Sequence, residues 1–210
     1  MQTTLTVRLL FATALFSLSA LSCTSQQTMK ETATPAEGTA VDIAKVYEQK
    51  IEAYSAGDTE YSGFYNNFEY KATLKNTAIR ETLLAKRASY YQWEPTKLDA
   101  EKAKDQQELA SITETFVSFF TPDRNNDNLT DKKSIWRIYL DVGGRRYEGK
   151  PLKIRGNLAE LQSLYPYHTR WNTPYTFQFQ VPTTAVETQS STLTITGPLG
   201  TRSVTFKPVQ

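Results

Sequence analysis

The chain has 210 residues, one cysteine and a formal charge of +2, with 39% hydrophobic and 12% aromatic residues. That length suits one ordinary domain and is too short for two full ones. Near-neutral charge removes the bulk electrostatic case for nucleic acid or an anionic membrane surface as partner, and a lone cysteine leaves no internal disulfide.

The first element is an apolar run, Leu9 to Ser22, preceded by Arg8 and closed by Cys23. It is too short to span a bilayer and ends in small residues, the pattern of an export segment rather than a fold element. The stretch Ala20-Leu21-Ser22-Cys23 puts a small residue directly before the thiol. It resembles the lipobox of bacterial lipoprotein precursors, and that resemblance covers residues 1–23 only. It implies cleavage after residue 22, thioether lipidation of Cys23 and anchoring to a membrane. Thr24 stands where an Asp is the usual cue for inner-membrane retention, so the resemblance implies the outer membrane. Residues 23–40, rich in Thr, Gln, Ala and Pro without apolar periodicity, read as a lipidated flexible tether. A coil of that length spans on the order of 20 to 25 Å. A single domain is expected over 41–210.

From Val41, apolar residues at Ile43, Tyr47, Ile51 and Tyr54 recur at helical spacing, and Gly57-Asp58 ends the pattern. Phe68 to Leu74 alternates strictly and predicts a strand with one wet face. Ile79, Leu83, Leu84 and Ala88 predict a second helix, which Trp93-Glu94-Pro95 interrupts because proline disfavours helix in the residue before it. Leu98 to Ala110 reads as a third, solvated helix, so about 76–110 forms a helical hairpin inserted between strands.

The remainder predicts strands. Ile112 to Phe120 is followed by Ser134 to Val142, where Trp136, Ile138, Leu140 and Val142 share one face and Arg137, Tyr139 and Asp141 the other. Gly143-Gly144 predicts a hairpin turn. Arg145 to Glu148, Leu152 to Arg155, Tyr175 to Val181, Thr192 to Thr196 and Ser203 to Lys207 are further strands, with a short helix at Leu158 to Leu164. Gly197-Pro198-Leu199-Gly200 turns between the last two. Short strands at this spacing predict an α+β, mainly β fold: an immunoglobulin-like β-sandwich with an N-terminal helix and the inserted hairpin.

Three constellations carry chemistry. Asp123, Asn125, Asp127 and Asp131, with the carbonyl of Leu129, offer hard oxygen ligands around one turn. This is similar to short calcium loops, but no Glu stands at the twelfth position, where Ser134 falls. The same residues equally stabilise turns through their own side chains, so Ca²⁺ binding and turn chemistry both remain open. Tyr165, Tyr167, His168, Arg170 and Trp171 bring the only histidine together with aromatic rings and a cation. Such a cluster suits an envelope protein partner or a glycan, since flat rings beside arginine stack on either. It also suits packing at the open end of a sandwich. Arg137, Arg145, Arg146 and Arg155 with Tyr139 and Tyr147 make a polar-aromatic patch or simply a wet sheet face.

No nucleophile elbow, zinc spacing, phosphate loop or dinucleotide fingerprint occurs. The reading is a non-enzymatic, lipid-anchored outer-membrane lipoprotein that binds an envelope partner. An envelope hydrolase using His168 with a carboxylate brought close by folding, and a calcium-stabilised structural module, are the alternatives.

Overall fold

The computed structural model describes residues 37–209. The export segment, the lipidation site Cys23 and tether residues 24–36 lie outside the described residues. Helix α1 runs from Glu37 to Ala53, so residues 37–40, read from sequence as the end of the tether, are helical. It leads into a hairpin of β1 (Ser55–Ser62) and β2 (Tyr65–Leu74), whose turn uses Gly63 at φ 62°. Positive φ costs glycine no steric penalty.

The expected helical hairpin follows as α2 (Thr77–Tyr90) and α3 (Pro95–Leu109). The Asn76 side chain caps α2 by accepting from the Ile79 amide at 2.8 Å, and Pro95 opens α3, where its missing N–H costs nothing. The chain continues through β3 (Thr113–Phe120), a 3₁₀ turn at Arg124–Asn126, β4 (Arg137–Val142), β5 (Arg145–Glu148) and β6 (Lys150–Lys153). It ends with α4 (Leu158–Leu164), β7 (Thr173–Phe179), α5 (Thr183–Glu187), β8 (Ser191–Gly197) and β9 (Gly200–Phe206). Gly143 and Gly144 have φ of 57° and 73°, the double positive φ of a two-residue hairpin turn between β4 and β5.

The strands form two antiparallel sheets, a five-stranded one in the order β1-β2-β3-β7-β6 and a four-stranded one in the order β5-β4-β8-β9. The fold is α+β and mainly β. Between the sheets lies the main core: Phe68 and Tyr70 of β2, Val117 and Phe119 of β3, Tyr175, Phe177 and Phe179 of β7, against Ile138 and Leu140 of β4 and Leu193 and Ile195 of β8. Each such side chain contributes roughly 1.5–3 kcal/mol when removed from water.

The opposite face of the five-stranded sheet meets a helical layer. Tyr47 and Ile51 of α1, Ile79 and Leu83 of α2, and Leu161 and Leu164 of α4 pack with Tyr165 around Phe116 of β3. Strand β3 is therefore buried on both faces, which explains its dense run of Phe116, Val117, Phe119 and Phe120. The inserted hairpin is clamped by charge: buried Arg80 lies 2.9 Å from Asp105, 3.1 Å from Glu108 and 3.1 Å from Glu114, and Glu114 also pairs with Lys75. Among the described residues no helix is long and apolar enough to cross a membrane.

Candidate binding groove

The helical layer covers the outer face of the five-stranded sheet around Phe116 but leaves the neighbouring part bare. Strand register builds the floor of the groove. Gly57 of β1 stands opposite Lys71 of β2, which stands opposite Ser118 of β3. The next row is Thr59, Glu69 and Phe120. A glycine is required at position 57, because a Cβ there would lie 2.8 Å from the Tyr70 carbonyl oxygen.

The segment after α4 forms the wall. Tyr167, Thr169, Trp171 and Asn172 line, with the floor, an open cleft of about 950 Å³. That is the size of a small-molecule or oligomer subsite rather than a packing defect. Lys71 Nζ sits 5.0 Å from the centre of the Tyr167 ring and donates to both Glu52 carboxylate oxygens at 2.7 Å. The Tyr167 hydroxyl lies 2.5 Å from Thr73 Oγ1, which lies 2.6 Å from Ser55 Oγ. Burial pushes the Tyr167 phenol up, so it stays neutral and serves as a hydrogen-bonding group.

The five residues singled out in this segment take different places. Tyr165 is buried and stacks flat on Phe116, with ring centres 3.5 Å apart and planes 2° from parallel. His168 is buried too, edge-on to Phe116 at 5.8 Å. Its Nδ1 shares a hydrogen bond with Ser118 Oγ at 2.8 Å, and its carbonyl accepts from Gln162 at 3.3 Å. Burial pulls the imidazole pKa down, favouring the neutral ring. The side-chain partner of His168 is thus the Ser118 hydroxyl. Tyr167 is half-buried in the wall, Arg170 points to solvent outside the lining, and Trp171 is 64% exposed within it. Arg124 holds the Trp171 carbonyl at 2.9 Å, fixing the wall against the end of β3.

No family model, curated protein or solved structure matches this chain.

The acidic loop is organised by its own hydrogen bonds. Asp123 accepts from the Asn125 amide and the Asn126 side chain, both at 3.0 Å, and Asp131 accepts from the Lys133 amide at 2.8 Å. Asp127 accepts from Thr173 Oγ1 at 2.5 Å and Arg124 at 3.2 Å. The Leu129 side chain is buried in the main core, and its amide donates to the Tyr175 hydroxyl at 3.3 Å. Among the described residues no three His, Cys, Asp or Glu side chains gather at a metal-holding site. In the arginine patch, Arg146 forms a two-point pair with Asp141 at 2.8 and 2.9 Å and lies over Tyr139 at 5.0 Å, while Tyr147 turns toward the core. Those groups satisfy one another across the strands.

Sequence reasoning found the wall and missed the floor. Gly57, Lys71 and Ser118 are far apart in the chain and belong to no motif, so strand pairing alone brings them together.

Proposed function

We propose that the chain is a lipid-anchored lipoprotein of the bacterial outer membrane that binds an envelope glycan in the groove without transforming it. The observation that carries this reading is that the exposed Trp171 and the half-buried Tyr167 line one cleft with several polar side chains. A sugar ring presents an apolar C–H face, which seats on an aromatic ring, and an edge of hydroxyls. Thr59, Glu69, Lys71 and Asn172 supply acceptors and donors for those hydroxyls. Export and lipidation at Cys23 rest on the N-terminal sequence pattern.

For the architecture, we propose an immunoglobulin-like sandwich, a reading supported by the two facing antiparallel sheets.

The test is calorimetric titration of the full chain with oligosaccharides released from bacterial envelopes. Saturable binding weakened at least about tenfold by Trp171→Ala, with an unchanged urea midpoint, supports the proposal. Binding indifferent to Trp171, or no binding of any envelope oligosaccharide, refutes it; saturation by an envelope protein at the same residues moves the reading to a protein partner. Incorporation of labelled fatty acid that disappears in Cys23→Ser tests the anchor separately.

A further inference from the structure

The turn between β1 and β2 carries an exposed aromatic tip. Phe64 is fully exposed at the turn, Tyr65 is 80% exposed and Tyr61 is 56% exposed. From Tyr61 to Phe68 there is no charged residue, the interval being bounded by Glu60 and Glu69. Trp171 lies at the same end of the five-stranded sheet, since Thr173, two residues on, pairs with Phe119, and Phe120 pairs with Glu69. Four of the exposed aromatic side chains therefore collect at one end of one sheet.

The base of the hairpin is tied to the second sheet. Asn67 donates to the Leu199 carbonyl at 2.9 Å, Arg202 donates to the Thr59 carbonyl at 3.0 Å, and Arg202 pairs with Glu60 at 3.1 Å. Fixing the base of the hairpin lowers the ordering cost of presenting Phe64 on binding.

We infer that this tip seats in the headgroup region of a lipid bilayer, with Phe64 reaching toward the acyl boundary and Tyr61 and Tyr65 at headgroup level. The sorting of residue types favours lipid. A ring without polar atoms stands at the apex, rings with one polar group flank it, and tyrosine and tryptophan are the side chains that populate membrane interfaces. The charge-free interval avoids carrying an ion into the bilayer. This inference rests on the lipid-anchored reading, which places the domain beside a membrane and makes a weak second contact effective. It also sets the groove beside the lipid surface, because Tyr61 lines both tip and groove.

The experiment uses the full lipid-anchored chain in vesicles of phosphatidylethanolamine and phosphatidylglycerol, labelled with an environment-sensitive fluorophore at Ser62→Cys. The comparison label is at Ser111→Cys, exposed at the opposite end of the same sheet. A blue-shifted emission at position 62, quenched by nitroxide lipids several-fold more than at position 111 and lost in Phe64→Ser, is the expected result. Equal quenching at both positions in a chain that floats with the vesicles overturns the tip proposal and leaves the anchor standing. A chain that does not float overturns both. A shift that appears only when envelope proteins are added assigns the tip to a protein pocket and overturns the lipid assignment.

Discussion

Ser118 Oγ and His168 Nδ1 lie 2.8 Å apart beneath the groove, joining the middle of β3 to the loop that forms the groove wall. This contact makes the wall sensitive to acid. Burial lowers the folded imidazole pKa below its ordinary 6.5, so between the two values the unfolded chain binds more protons. Stability is full above about pH 6.5 and declines as pH falls from there, until the folded ring itself protonates. Urea midpoints at pH 7.5 and 5.5 check this, and His168→Gln flattens the difference.

Arg80 holds the inserted helical hairpin against the sheet through Asp105, Glu108 and Glu114. Burial pushes the Glu114 carboxyl up, but Lys75, the Gln178 hydrogen bond and Arg80 together outweigh it and keep it below the usual range. Removing the guanidinium takes one partner from buried Glu114, which Lys75 and Gln178 still hold, and opens the link to Asp105 and Glu108, so Arg80→Ala costs about 1–3 kcal/mol by urea denaturation. Limited proteolysis should then cut first between α2 and α3. Arg80→Ala with wild-type stability would contradict the clamp.

The 123–131 loop is fastened by Tyr175, whose hydroxyl donates to the Asp127 carbonyl and accepts from the Leu129 amide. Tyr175→Phe leaves both backbone groups unpaired in a buried setting and costs about 1–3 kcal/mol. Because Asp123, Asp131 and the Oδ2 of Asp127 already have amide, hydroxyl and guanidinium donors, added Ca²⁺ or EDTA is expected to leave the melting temperature unchanged. A rise with Ca²⁺ that vanishes in Asp127→Ala would instead establish a calcium module.

The sequence made the main core legible because alternation survives wherever one strand face is buried and the other wet. Trp136, Ile138, Leu140 and Val142 are all buried, as are Tyr175, Phe177, Phe179 and Val181. Strand β1 was hidden, since Ser-Ala-Gly-Asp-Thr-Glu has Thr59 as its one β-branched residue and no aromatic one, and Gly57-Asp58 reads as a turn; pairing with β2 overrides that local preference. Strand β6 begins two residues before its expected start, and Pro151 is tolerated because β6 is an edge strand. In the 165–172 segment, composition showed that rings cluster there but not which ones face inward. That depends on Phe116, contributed by a strand nearly fifty residues earlier.

Tyr165 and Trp171 illustrate the separation between packing and binding. Tyr165→Ala removes a stacked, buried ring and costs about 3 kcal/mol or more. Trp171→Ala, on the exposed wall, changes stability by no more than about 0.5 kcal/mol. Thermal or urea unfolding of both variants distinguishes them, and equal destabilisation would show that Trp171 packs rather than binds.

The most direct measurement of the groove's role is amide and indole NMR of the full chain during titration with envelope oligosaccharides. The account predicts saturable shifts confined to Gly57, Asp58, Lys71, the Trp171 indole and Asn172, with Trp136 in the core unmoved. Shifts that map to another surface, or an unchanged spectrum throughout, would contradict a glycan-binding groove.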